Sequence, residues 1–564
     1  MRVTNKMADN YNVYNLNKNK TLLDDLNNQM STKKKFYEPM DNPVIAARSL
    51  HFRADLSEIE QFLEKNVTDA ISWTDTTQTA IDTGKDILRS LKSEYTSAAN
   101  GTNKNEDRWT YYNNMVNLVN EFYAVGNTTN ENRYVFTGAR TVDSFTFNAK
   151  NFDDRAKDIG TTATKDETTG RYKGIFKYVG ITEDFQLNDL ESYTFTSRSD
   201  KTLVDGLMTD SNSGITLEEI AAVNPLTRTA VDETKIQNVD VYRLRLSYEN
   251  LDAAQNASDV PEAYRTEGTD EQKKYDLTKF GKLIVEGSAD SPYEVTLIQN
   301  DYEVNQESFA GDDNKRVYLN TTTGNLIFGE NIHTEIANAL NNNKTVSFSY
   351  NKSEWAEDDV KPEHYFNCID TSVPDDKDPI LYNEHEQTIE YNVGDNQVLK
   401  VNTNANRVFS LDAVRDLNEI RNALKAVEDA EEKVNKLSEM KEDSLRYSED
   451  ELEDIGYLLA AAEKEFKYAT EKLDKLYSNG MTRSQDYFDT ANLAGTDMGT
   501  TVKRLTIIRN RLTENKTTIT AQASENENID ITTTAVDVNA ATLSYGAALQ
   551  VTGKISQQSL VNFL

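Results

Sequence analysis

Four histidines, one cysteine and a few acidic pairs are the residues of this 564-residue chain whose types could do chemistry. His51, His333, His364 and His385 are widely spread, and only His385 sits in a suggestive string, His385-Glu386-Gln387-Thr388-Ile389. A zinc helix needs a second histidine four residues on, sharing the helix face, with the glutamate acting on metal-bound water. That position is Ile389, and the alternation that follows belongs to a strand, so His385 is an ordinary surface histidine. Gly324 and Gly329 have the spacing of a phosphate-cradling loop, but Glu330-Asn331 stands where lysine and a hydroxyl should follow. A carboxylate there repels phosphate. No dinucleotide-type glycine triplet occurs. Cys368 is alone, which excludes an intrachain disulfide framework and any multi-cysteine zinc or iron-sulfur site. With only His364 nearby it is a buried thiol rather than a nucleophile. Asp312-Asp313 and Asp375-Asp376 lack the alternating oxygen ligands and closing glutamate of a calcium loop. They and Lys33-Lys34-Lys35 read as solvated loop charge. The expectation is a protein that is not an enzyme, with no catalytic, cofactor-binding or metal-binding residues and no cofactor.

Charge narrows the partners further. Sixty-one basic against ninety-four acidic residues leave a formal charge of -33, which repels phosphate backbones and anionic lipid headgroups. Nucleic acid and membrane surfaces are therefore not expected partners. No apolar run of signal-peptide length follows Met1, and none of about 18 residues occurs further on. Any export is expected to proceed without a cleaved general secretory signal.

The elements that would hold such residues are divided by proline, the strongest helix breaker. All eight prolines lie between Pro39 and Pro379. In the proline-free stretch that follows Pro43, a heptad runs through Leu56, Ile59, Leu63, Asn66, Ala70, Trp73, Thr77, Ala80, Gly84, Ile87, Leu91, Glu94 and Ala98. This spacing predicts one helix from about 44 to 99, with Asn66 as a buried polar residue that sets register. A shorter helix precedes it, with Leu16, Leu23, Leu26 and Met30 on one face; a third spans about 106 to 125. Gly101 suits the cap that ends the long helix, and Thr102 the cap that starts the next. Beyond 405 the helical period returns in seams through Leu417 to Val434, Ile455 to Leu476 and Leu505 to Ile519, with a weaker stripe through Tyr545 and Ile555.

Between these helical ends the period falls to two. Strands are expected over 242–248, 282–285, 293–298 and 346–350, and hairpins over 317–328 and 388–401, with a short helix near 332–340. The expected class is α+β: an elongated, coiled-coil-like helical rod formed by both chain ends, with a large central β-rich insertion. Its parts are an N-terminal helical assembly region over 1–143, a β-rich inserted region of one or two subdomains over 144–405, and a C-terminal helical assembly region over 406–564.

Both extremities are apolar to the end, where free termini usually fray and turn polar. That points to an assembly role for Val3, Met7, Leu16, Leu23, Leu26, Met30, Tyr545, Leu549, Ile555, Leu560, Phe563 and Leu564.

Several strings at the two ends resemble a known family. MRVTNKM (1–7), DNPVIAARSL (41–50), IEQFLEKNVTDAISWTDTT (59–77), SAANGT (97–102) and NRYVFTG (132–138), with AVDVNAATLSYGAALQVTGKISQQSLVNFL (535–564), resemble the flagellin-like family, and within it the hook-filament junction proteins, or third hook-associated proteins. The resemblance covers about 1–143 and, more loosely, 480–564. It implies a structural subunit of the extracellular bacterial flagellum that serves motility. It also implies secretion through the flagellar type III export apparatus, with an export chaperone on the C-terminal helix. The partners implied are the hook-proximal junction protein, flagellin, and copies of the same chain in a ring. The alternative is a minor flagellin or a surface adhesive protein whose β-rich insertion carries recognition.

Overall fold

The computed structural model describes residues 5–36, 38–40, 42–100, 104–197, 237–265, 279–301, 304, 306–309, 315–374, 377–382 and 387–561. Gly101, Thr102, Asp312, Asp313, Asp375, Asp376 and His385 lie outside the described residues.

Four helices open the chain: α1 (Asn5–Thr32), α2 (Pro43–Glu60), α3 (Thr68–Ala98) and α4 (Asn105–Gly126). Proline at the first helical position of α2 costs nothing, because that N–H has no intrahelical partner, and the Asn42 side chain accepts from Ile45 N at 3.2 Å. Between α2 and α3 the chain stays helical but widens into a π turn, Gln61–Val67. Among the described residues, the middle of the chain holds α5 (Ala149–Asp158), α6 (Glu330–Asn341) and twelve short or medium strands. These are β1 (Thr129–Asn130), β2 (Arg133–Tyr134), β3 (Arg171–Asp184), β4 (Leu190–Ser197), β5 (Gln237–Arg245), β6 (Ile284–Val285), β7 (Val295–Ile298), β8 (Val317–Asn320), β9 (Asn325–Phe328), β10 (Val346–Ala356), β11 (Asn367–Asp370) and β12 (Ile380–Tyr382). A hairpin, β13 (Glu390–Gly394) with β14 (Gln397–Lys400), leads to three more helices, α7 (Asp412–Glu442), α8 (Glu449–Glu527) and α9 (Ile531–Val561). Long helices at both ends with a β-rich middle make the chain α+β.

The chain forms two compact units. The main unit comprises 73–389 and 401–500; the terminal unit comprises 1–72, 390–400 and 501–564.

In the main unit two five-stranded sheets carry the core. One has the order β12-β11-β3-β10-β6 and is antiparallel throughout; the other, β4-β5-β9-β8-β7, is antiparallel except for the parallel pair β7 and β8. Apolar side chains of β3, β5, β8, β9 and β10 share one cluster with α5 and α6. At its aromatic centre Trp355 lies 5.2 Å from Phe147, 5.4 Å from Tyr178 and 5.1 Å from Tyr248, ring centre to ring centre. Aromatic pairs at these separations add to the burial of their area. Helices approach closely where glycine permits: a Cβ on Gly480 of α8 would lie 2.3 Å from the Tyr95 ring of α3.

A buried charge cluster ties the second sheet to its helices. Arg243 on β5 donates to Glu191 and Glu419, Arg245 to Asp412 and Asp416, and Arg483 of α8 to Glu191 and Asp416. Burial alone would raise the Glu419 carboxyl, but Arg243 and Arg245 beside it hold it well below the usual range. Such a cluster tolerates few alternative packings, because any shift strands a charge without a partner.

Strands β3, β4, β11 and β12 and helix α5 were not expected from sequence. β3 hides its alternation behind two glycines, Gly174 and Gly180, at φ of 74° and 67°. β10 shifts register twice against it.

The terminal unit is built differently. α1 packs along α9, and the β13–β14 hairpin seats on the π turn. There Asn66 Nδ2 donates to the Asn392 carbonyl at 2.7 Å and the Tyr391 hydroxyl donates to Asp69. Asn66 is therefore no buried register residue of a coiled coil. Its side chain is half-buried and serves the hairpin instead. The hairpin, expected as part of the central block, packs within the terminal unit.

Candidate assembly site

The turn that follows α1 and the turn that leads from α8 into α9 close on each other. Lys33 takes a left-handed φ of 57° after α1. In the turn it starts, Lys35 N donates to the Glu527 carbonyl at 2.7 Å, and Ile529 N returns a bond to the Lys33 carbonyl at 3.2 Å. The Glu527 carboxylate gathers the surrounding donors: Lys34 Nζ at 2.8 Å, Arg53 Nε and Nη2 at 3.1 Å each, and the Ser49 hydroxyl. Lys34 also reaches Asn528 Oδ1 at 2.8 Å. Burial works to raise this carboxyl, but its bonds from Arg53, Lys34 and Ser49 prevail and hold it at about 2. One turn later Asp530 caps α9, its Oδ1 accepting from Thr532 N at 2.9 Å. The Lys33-Lys34-Lys35 run, expected to be solvated charge, instead supplies two backbone bonds and a carboxylate partner to this junction.

Fixed side by side in this way, α1 and α9 bury little. No described side chain of α1 is fully buried, and in α9 only Thr534 and Ala541 are. A pair of helices alone covers one stripe of each and leaves the rest to solvent. Among the described residues, fifteen of the twenty-two exposed large apolar side chains belong to the terminal unit. On α1 they include Met7 and Tyr11, each 66% exposed, and Tyr14; on α9 they include Val536 and Leu543, the latter 75% exposed. Apolar groups of this kind gain about 1.5–3 kcal/mol each when fully buried, so a second surface laid on them is strongly favoured.

The residues expected from sequence divide into three sets here. Leu16, Leu23, Leu26, Met30 and Tyr545 are half-buried, while Met7 and Leu549 are exposed. Ile555 and Leu560 lie in α9, but only their backbone is described; Val3, Phe563 and Leu564 lie outside the described residues. The heptad stripe thus selected mostly the half-buried side of α1. The more exposed Tyr11, Tyr14, Val536 and Leu543 fall off it and were missed, though their apolar type on a helical stretch was a usable signal. Glu527 was missed too, because nothing local shows that its partners are Lys34, Ser49 and Arg53.

The remaining candidates are accounted for in the core. The His364 ring is buried, its Nε2 3.3 Å from the Ser144 carbonyl, and burial pushes it down to about 3, so it is neutral. Burial pushes the Cys368 thiol well up, which leaves no thiolate to react. Gly324, at φ 61°, turns β8 into β9; a Cβ there would lie 2.2 Å from the Tyr248 carbonyl oxygen. No group of three or more His, Cys, Asp or Glu placed to hold a metal occurs among the described residues. None of their helices is long and apolar enough to cross a membrane.

Residues 3–141 match the family model of the bacterial flagellin N-terminal helical region. The N-terminal part of this chain is flagellin-like. No curated protein matches the chain by sequence. Among solved structures, flagellar hook-associated protein 3 from Legionella pneumophila is similar over 84% of this chain and 97% of its own, at 10% identity and a TM-score of 0.27. At that identity and score the likeness is no guide to fold or role. The flagellin-like region takes in α1 to α4 and the β1–β2 hairpin, and so includes the exposed apolar face of α1.

Proposed function

We propose that this chain is a structural junction subunit of the bacterial flagellum, without enzymatic activity, that joins the hook-proximal junction protein to the flagellin filament. The observation that carries this reading is the α1–α9 pair: a helical pair, flagellin-like at α1, whose apolar side chains have no covering layer among the described residues. In the assembled state neighbouring copies in a ring cover Tyr11, Tyr14, Val536 and Leu543, and the helices gain their full order then. Segments that order on binding meet the conformational cost only at that moment, and can wrap a large surface. Secretion through the type III export apparatus follows from the same reading, as does residence outside the cell in the flagellum. Before export, a chaperone shields α9 by packing its apolar face into a groove.

The test is deletion of residues 535–564 in the native organism, with flagella counted by electron microscopy and motility scored in soft agar. The truncated chain is expected to be absent from flagella, and filaments to be lost or shed. Filaments of normal number and length that contain the truncated chain would remove the terminal-helix mechanism.

A further inference from the structure

The main unit contains a cavity of about 460 Å³ between β4 and β5 on one side and residues 468–483 of α8 on the other. That volume is in the range of small-molecule sites. Four cations, Arg243, Arg483, Lys472 and Lys475, and three carboxylates, Glu191, Glu419 and Glu471, line it. Arg243 and Arg483 line the cavity but are already matched by Glu191, Glu419 and Asp416. Two further cations face the same space, Lys472 and Lys475, three residues apart on one face of α8. No described carboxylate forms an ion pair with either. Lys472 instead lies with Nζ 5.2 Å from the centre of the Tyr193 ring, whose hydroxyl is committed to Asp301. Burial pushes the Lys472 ammonium below the usual lysine range, against the opposing pull of the Asp301 and Glu419 carboxylates.

Around the two lysines stand groups suited to hydroxyls rather than to a bare ion. Ser192 and Asn479 offer donors and acceptors, and the Glu471 carboxylate can only accept. We propose that the cavity binds a small acidic sugar, its carboxylate between Lys472 and Lys475 and its hydroxyls on Ser192, Asn479 and Glu471. The carboxylate supplies Lys472 and Lys475 with the direct ion pair that Glu191 and Glu419, already bonded to the arginines, do not. All the residues that line this site belong to the main unit.

Calorimetric titration of the full-length chain with glucuronate, glucose and inorganic phosphate tests this. Glucuronate is expected to bind, with glucose at least about tenfold weaker, equivalent to ~1.4 kcal/mol. Lys472→Met is expected to weaken glucuronate about tenfold or more and Lys475→Met severalfold, with unchanged circular dichroism. Lys475 is exposed, so its variant decides the matter if Lys472→Met does not fold. No glucuronate heat at concentrations on the order of 10 mM, a range in which even millimolar affinity is visible, overturns the proposal. Unaltered glucuronate binding by both variants overturns it as well. So does phosphate that displaces glucuronate as readily as glucuronate itself binds, since the cavity would then select charge alone.

Discussion

The main unit and the terminal unit use the same kinds of residue to opposite ends. In the main unit large apolar side chains converge: Trp355, Tyr178 and Phe147 are all nearly inaccessible, and even arginines are enclosed with their partners. In the terminal unit tyrosine, leucine and valine lie exposed along α1 and α9, and a polar knot around Glu527 ties the turn after α1 to the end of α8. A unit stabilised from within carries its energetics in its own fold. A unit whose paired helices cover only one stripe of each other leaves its remaining apolar surface available to something else.

The comparison breaks first at Trp355. Trp355→Ala is expected to cost the main unit about 3–5 kcal/mol, read as a lowered midpoint in urea denaturation, because it empties the centre of the aromatic cluster. An effect below ~1 kcal/mol would mean that this core is not the source of stability.

The pH responses should also differ in sign. In the main unit Glu183 is buried, and desolvation raises its carboxyl to about 7 despite bonds from Tyr350 and Ser247. An acid whose folded pKa is raised adds stability below its unfolded pKa and loses it as pH rises through the folded value. From this group the main unit should weaken by on the order of 3 kcal/mol between about pH 4.5 and 7, and Glu183→Gln should flatten that slope. Glu527 is the reverse case, its folded pKa depressed to about 2. Its contribution is complete above about pH 4.5 and disappears as pH falls towards 2. Amide exchange in α1 and α9 should therefore accelerate in that acid window, and Glu527→Gln should show the fast exchange already at neutral pH.

Gly480→Ala sharpens the comparison at helix packing. Its new methyl meets the Tyr95 ring, and a loss of about 1–3 kcal/mol in the main unit is expected by the same denaturation assay. The smallest effect is placed on the terminal unit. Leu543→Ser should change the stability of the free chain by no more than ~0.5 kcal/mol, yet reduce incorporation into flagella when counted by immunogold labelling. Equal losses in both measurements would mean that Leu543 already has a partner within the chain.

Much of this organisation was legible in the amino-acid order, for reasons that differ by region. Helix ends were readable because proline and the heptad act locally: 44–99 was expected and 43–98 is observed, with β8, β9 and β10 near their expected places. The π turn at 61–67 was not, because it leaves the apolar spacing almost intact while a hairpin more than 300 residues away seats on it. β3 was hidden by glycines and by lysines on its exposed positions. In the assembly site, periodicity finds the stripe that one helix turns toward its neighbour. It does not find what remains uncovered, which depends on how many layers lie above, and so Tyr11, Tyr14 and Leu543 went unmarked. The Glu527 junction joins positions 478 residues apart in the case of Ser49, and only the folded chain shows them as neighbours.

Cys368 has a practical consequence. The one native sulfhydryl is sealed inside β11, with no accessible surface, so maleimide reagents should pass the folded molecule by. A cysteine introduced at Leu543 would then be the sole target for dye attachment in an otherwise unaltered protein, and loss of labelling as subunits join would report directly on which faces become covered.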